Sequence, residues 1–123
     1  MKFDTIIIGG GLSGLISGIY LSQRGQRCVI ISSGQSALHF SSGSFDLLNN
    51  LPDGTSVQKP LDAISELVKQ APTHPYAKLG ETKFKELAQQ AEEFFKNAGI
   101  STQGNHEENH YRVTPMGTLK PTW

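Results

Sequence analysis

Six consecutive residues, Gly9-Gly10-Gly11-Leu12-Ser13-Gly14, carry the clearest chemical signal in the sequence. They fit the spacing G-x-G-x-x-G, in which each glycine answers a different steric demand. Gly9 permits a tight turn, Gly11 lets an anionic group approach the backbone, and Gly14 lets a helix close on a strand. The amides that open such a helix, around Leu12 and Ser13, lack partners within it, and the helix dipole favours negative charge there. A phosphate is the group that such a seat suits. The plainer alternative is that the glycines serve tight packing alone.

The flanking elements favour the first account. Phe3–Ile8 (FDTIII) is short, apolar and β-branched, which predicts a buried strand ended by the triple glycine. Leu12–Arg24 then carries Leu12, Leu15, Ile16, Ile19 and Tyr20 at helical spacing, with Gly25 as its stop. Cys28–Ile31 (CVII) reads as a parallel strand covered on both faces. Residues 3–33 therefore predict a βαβ nucleotide unit. The fold class expected is α/β, a Rossmann-like three-layer fold of the FAD- or NAD(P)-binding kind, incomplete in this chain because further parallel strands and a second glycine-rich segment are not found.

Such a unit often carries an acidic residue at the end of its second strand to hold the ribose hydroxyls of adenosine. Here that position is Ser32, followed by Ser33 and Gly34, with no carboxylate. Two accounts fit. Either a serine hydroxyl, with Ser33 a candidate, or a backbone group serves instead, or the ligand has no adenosine.

Beyond the unit, residues 34–59 form a Ser/Gly-rich stretch expected to be a loop, with one helical turn near Phe45–Leu48 and a Pro-Asp-Gly turn at 52–54. Residues 60–123 read as a helical insertion followed by the start of a further strand region. Pro60 is placed to open a helix to about Gln70, with Leu61, Ile64, Leu67 and Val68 on one face and Pro72 and Pro75 ending it. A second helix is expected over Thr82–Asn97, with Phe84, Leu87, Ala88, Ala91, Phe94 and Phe95 inward and Glu92 among the charges of a solvated face. Polar linker follows Gly99, then a short strand at His110–Thr114.

Composition narrows the partners. The 123 residues hold eleven basic and eleven acidic side chains, so no net field favours nucleic acid. Cys28 is the single cysteine; it forms no internal disulfide and reads as a small buried hydrophobe rather than a reactive thiol. His39 reads as structural or solvent-facing rather than as a proton donor. His106 and His110, beside Glu107 and Glu108, make no metal pattern, so no metal site is expected. The apolar start is too short for a signal peptide, and no window approaches the roughly 20 apolar residues of a membrane span.

The segments KFDTIIIGGGLSGLISGIYLSQRGQRCVIIS, GQSALHFSSGSFDLLNNLPDG, QAPTHPYAKLG and RVTPMGTLKPTW resemble the N-terminal region of the B subunits of bacterial anaerobic glycerol-3-phosphate dehydrogenases. The glycine turn is common to many flavoproteins, whereas ALHFSSGSFDLL is far more specific. The resemblance covers all 123 residues but about the first third of such a subunit. It implies a quinone-linked complex that oxidises sn-glycerol 3-phosphate to dihydroxyacetone phosphate. In that family the catalytic A component carries FAD and performs the substrate oxidation. The B component is an FMN flavoprotein, and the C component supplies iron–sulfur centres and membrane attachment. The implied cofactor is FMN, with FAD the alternative. The implied location is the cytoplasmic side of the inner membrane, peripheral through partner subunits. Gly9, Gly11 and Gly14 match the family's nucleotide turn, and Ser42, within Ser41-Ser42-Gly43, sits where related flavoproteins bring a loop toward the flavin. No residue is thereby marked as catalytic. Two other readings stay open: a truncated, non-catalytic fragment that keeps the nucleotide cradle, and a nicotinamide-binding module.

Overall fold

Two short β-branched strands, β1 (Thr5–Ile8) and β2 (Cys28–Ile31), pair in parallel, with Thr5 opposite Cys28 and Ile8 opposite Ile31. Side chains stiff at χ1 suit this extended backbone. Helix α1 (Leu12–Ser22) links them, which makes the βαβ unit expected from the sequence. Its end is local in origin. The amides of Gly25 and Gln26 turn back to the carbonyls of Ser22 (2.9 Å) and Leu21 (3.2 Å), so carbonyls left over by the helix are satisfied. The structure, a computed structural model, describes every residue from Met1 to Trp123 and divides into two compact units, Met1–Gly43 and Ser44–Trp123.

Burial in the first unit departs from the sequence reading. Both strands read as buried, yet Ile8 is 88% and Ile31 54% exposed. Helix α1 covers one face of the pair, and the face carrying Ile6, Ile8 and Ile31 has no second layer within this unit. The apolar stripe of α1 is exposed as well, because the helix meets the sheet through Gly18, its one buried residue. A Cβ at Gly18 would lie 3.1 Å from Ile30 Cδ1 and 3.4 Å from Ile7 Cδ1. Cys28 is half-buried, not enclosed. After β2, Ala37–Phe40 forms a single 3-10 turn, with the Ser36 hydroxyl accepting from the Leu38 amide at 3.3 Å. The helical turn suggested for Phe45–Leu48 is absent; those residues are extended or irregular.

The second unit gathers its core around Leu48, Leu51, Val57, Ile64, Leu67 and Phe84. Ile64 and Leu67 are 1% exposed. Helix α2 (Ile64–Gln70) begins later than Pro60, which is instead buried in the turns ahead of it. Pro75, expected to end a helix, opens one. It occupies the first turn of α3 (Pro75–Asn97), where a missing N–H costs nothing, and His74 Nδ1 accepts from the Tyr76 amide at 3.2 Å. The helix expected over Thr82–Asn97 is thus longer at its start, and Gly80 interrupts it: at φ 75° and ψ 166° the backbone leaves the helix for one residue, a conformation glycine tolerates. Of the side chains expected inward, Phe84 and Ala88 are buried, Ala91, Phe94 and Phe95 half-buried, and Leu87 exposed.

The polar stretch after α3 is not a free linker. His106 and Asn109 are buried, at 5% and 2% exposure. Asn109 Nδ2 donates to the carbonyls of Leu48 (2.9 Å) and Val57 (2.7 Å). A hairpin of β3 (His110–Val113) and β4 (Leu119–Thr122) completes the unit, with Tyr111 opposite Pro121. Pro121 speaks against a strand by local rules, and so β4 is not legible in sequence. No helix is long and apolar enough to cross a membrane.

Candidate functional site

The glycine turn spans the gap between β1 and α1, and three different constraints hold it. Gly9 adopts φ 113°, which a side chain would strain, and its amide donates to the Ile31 carbonyl at 2.8 Å. That bond extends the ladder by one residue and pins the turn to the end of β2. Gly14 lies against the turn so closely that a Cβ there would fall on the Gly9 carbonyl oxygen. Gly11 differs from both. Its backbone is extended at φ −77° and ψ 179°, and a Cβ built on it meets nothing within 4 Å. The space above Gly11 is open.

The start of α1 faces that space without competition. Gly11 occupies the N-cap position and supplies no side-chain cap, and the first turn holds no acidic residue. The amides of Leu12, Ser13 and Gly14 lie in that first turn, where no intrahelical acceptor exists. Positive partial charge gathers there, and an anion entering over Gly11 would meet it.

An open cleft of about 380 Å³ lies beside the turn, lined by Gly9, Gly10, Gly11 and Ser33 together with Ser32, Ser36 and neighbouring apolar residues. Of the candidates named from sequence, Gly9, Gly11 and Ser33 thus share one cleft, and Leu12, Ser13 and Gly14 form the helix start at its edge. Ser42 does not line it; that residue lies beyond the 3-10 turn in the segment leading out of the unit. Three residues that do line the cleft were not among the candidates: Gly10, Ser32 and Ser36. Ser32 had a signal, since it stands where a ribose-binding acid is sought. Ser36 had a weaker one, a serine two residues ahead of the amide it caps.

No titratable group lies in the cleft. His39 is exposed and stacks edge-on against Phe40, with ring centroids 4.9 Å apart and no carboxylate partner. At the other end of the strands Arg27 clasps Asp4: Nε and Nη2 donate to the carboxylate at 3.1 and 3.0 Å, and the Arg27 amide adds a third bond at 2.9 Å. The Arg27 side chain, then its amide, hold the Asp4 carboxyl below the usual range. No group of three or more His, Cys, Asp or Glu side chains is arranged to hold a metal ion.

The glycine turn, open backbone and bare helix start are features of nucleotide-binding sheets in general, and comparison with known proteins narrows them. Residues 4–123 match the FAD binding domain family. The chain belongs to that family. Its α/β architecture is accordingly an incomplete Rossmann-like FAD-binding fold, and a flavin is the class of cofactor to which the family's name refers. Over its whole length the chain is 51% identical to the B subunit of the anaerobic glycerol-3-phosphate dehydrogenase of Pectobacterium atrosepticum. It is 55% identical to that of Yersinia pestis and 50% identical to that of Haemophilus ducreyi. The chain spans 28–29% of the length of these relatives. No solved structure matches it.

Proposed function

We propose that this chain seats a flavin nucleotide by its phosphate at the Gly9–Gly14 turn. In the whole protein, it forms part of the flavoprotein subunit of a quinone-linked anaerobic glycerol-3-phosphate dehydrogenase. The observation that carries the seat is the unfilled space over Gly11 beside the bare first turn of α1. The identity to dehydrogenase subunits supports the wider activity.

In this reading the amides of Gly11, Leu12 and Ser13 bind and orient the phosphate. Gly9 and Gly14 hold the turn in shape, and Ser33 offers a hydroxyl at the rim. A flavin held there would supply redox chemistry to the complex, in which sn-glycerol 3-phosphate loses a hydride and a proton to become dihydroxyacetone phosphate and two electrons pass toward quinone. No residue of this chain is assigned as acid or base. FMN is the cofactor favoured, because β2 ends at Ser32 without a carboxylate for an adenosine ribose; FAD is the alternative. The partners are a catalytic, FAD-bearing subunit, and an iron–sulfur subunit that holds the complex on the cytoplasmic face of the inner membrane. Residues 3–33 act as the nucleotide unit of a larger flavin domain, to which 34–59 and 60–123 add a loop and a helical insertion.

Titrating the purified chain with FMN, FAD and NADH, read by flavin fluorescence and by thermal shift, tests this. Saturable quenching by a flavin and no response to NADH is the expected result. A chain that takes up neither flavin overturns the reading, and protection by NADH alone favours a nicotinamide module.

A further inference from the structure

The hairpin of β3 and β4 turns its polar face inward and its apolar face outward. Lys120 and Thr122 hold the polar face against the second unit: Lys120 Nζ lies 2.6 Å from Asp46 Oδ2, and Thr122 Oγ1 donates to the Phe45 carbonyl at 2.9 Å. Alternation along the strands sends Tyr111, Val113 and Leu119 to the opposite face. They are 56%, 66% and 66% exposed.

The two edges of the hairpin also differ. The Thr114 amide donates to the Thr118 carbonyl at 2.8 Å, which makes these two a hydrogen-bonded pair. Such pairs alternate in an antiparallel ladder, so Tyr111 and Val113, like Pro121 and Leu119 opposite them, turn their backbone groups away from the neighbouring strand. Along β4 that outer edge is defended. Pro121 has no N–H, its carbonyl accepts from Asn49 Nδ2 at 3.5 Å, and the Trp123 amide donates to the Phe45 carbonyl at 2.7 Å. Along β3 a ladder begins and then stops. The Asn109 amide donates to the Gln58 carbonyl at 2.8 Å, and the Asn109 carbonyl accepts from Gln58 Nε2 at 3.1 Å. Beyond Asn109 nothing in the chain pairs with the outward groups of Tyr111 and Val113. Exposed edges are commonly guarded by a charge, a proline or a bulge, and these two positions carry none.

We propose that the outer edge of β3 receives a further β-strand, supplied by the part of the subunit that the relatives carry and this chain does not. The inference rests on the subunit reading above and not on the flavin seat. The strand joins Tyr111 and Val113 through backbone hydrogen bonds and lays apolar side chains beside the face they share with Leu119. More than two thirds of each relative's length lies outside the stretch this chain matches, which is ample polypeptide to supply it.

A second copy of the chain fits the edge badly. With Tyr111 and Val113 as the bonding residues, antiparallel addition of β3 to itself has three registers. Tyr111 opposite Val113 sets two Arg112 side chains directly across from each other, which their like charge disfavours. Tyr111 opposite Tyr111 brings Val113 onto Asn109, whose groups Gln58 already holds. Val113 opposite Val113 brings Tyr111 onto Pro115, which has no N–H to give.

Site-resolved hydrogen exchange tests the proposal, comparing the 123-residue chain with a full-length hybrid in which it replaces the matching stretch of the Pectobacterium atrosepticum subunit. The Tyr111 and Val113 amides should exchange freely in the chain alone and be slowed about tenfold or more in the hybrid. Val113→Pro removes one outward N–H and spares the bonds to β4, so in the hybrid it should release the Tyr111 amide and leave the Arg112 amide protected. Should the hybrid not fold, the tagged chain is co-expressed with the rest of that relative's subunit; the two should copurify, and Val113→Pro should abolish this. Free exchange of both amides in a hybrid whose α3 amides are protected, or failure to copurify, overturns the proposal. So does protection that rises with the concentration of the chain alone, the mark of a second copy, or that appears only when another dehydrogenase subunit is added. Flavin titration of the same samples reports separately on the nucleotide seat.

Discussion

A single carboxylate oxygen of Glu92, Oε1, accepts two hydrogen bonds from His106: one from the backbone amide at 2.6 Å and one from ring Nδ1 at 2.7 Å. The donor role of Nδ1 places its proton on that nitrogen, so Nε2 is left buried and without a partner. Glu92 stands on α3 and His106 in the segment that leads to β3, so the pair ties the helix to the start of the hairpin. Glu92→Ala leaves the buried His106 amide unpaired and should cost about 1–3 kcal/mol in urea denaturation. Glu92→Gln keeps an oxygen acceptor and should cost less. Equal stability of the alanine variant and the parent would show that the tie contributes nothing.

Gly11 and Gly14 should respond oppositely to a single methyl group. At Gly14 the added carbon falls on the Gly9 carbonyl, which forces the turn and helix apart. Gly14→Ala should therefore lose about 1–3 kcal/mol of stability, and flavin binding with it. At Gly11 the methyl meets open space on an ordinary backbone angle. Gly11→Ala should change stability by about 0.5 kcal/mol or less while weakening flavin binding about tenfold or more. Thermal unfolding and titration of both variants separate the two roles.

Asn109 ties three segments together through one amide group and its own backbone. Nδ2 donates to Leu48 and Val57, and the Asn109 backbone amide donates to the Gln58 carbonyl at 2.8 Å. Asn109→Ala leaves two buried carbonyls unsatisfied and should cost about 1–3 kcal/mol. Asn109→Asp sets a carboxylate against the same two carbonyls and should be worse at about pH 7 than at about pH 4, where protonation restores one donor. Urea denaturation at the two pH values checks this.

The Asp4–Arg27 clasp predicts the sign of a pH effect. The Asp4 carboxyl titrates below its unfolded value in the folded chain, chiefly because of the Arg27 side chain. The clasp is therefore fully present above the ordinary aspartate value and is lost as pH falls through the depressed folded value. The melting temperatures of the parent and of Asp4→Asn should differ above about pH 4 and converge in stronger acid. Added salt should narrow the difference, since both groups are exposed.

The linear chain specifies local features unaided. Glycines at 9, 11 and 14 between an apolar β-branched run and a helical one dictate strand, turn and helix, because each steric demand is met within a few residues of its cause. Gly25 stops its helix for the same reason. Local rules misplace an element where they allow two outcomes: Pro75 ends one helix or begins another, and the His74 ring beside it decides. Features that depend on partners remote along the chain became legible only in three dimensions. Glu92 looks like a solvated charge until His106 folds over it, and Asn109 looks like linker until the Leu48 and Val57 carbonyls surround it. The closeness of the Ser32 side chain to Gly10 likewise exists only once β1 and β2 have paired in parallel. Periodicity and glycine sterics act along the chain and leave a pattern in it. A hydrogen bond or close contact between distant residues exists only once the backbone has brought them together.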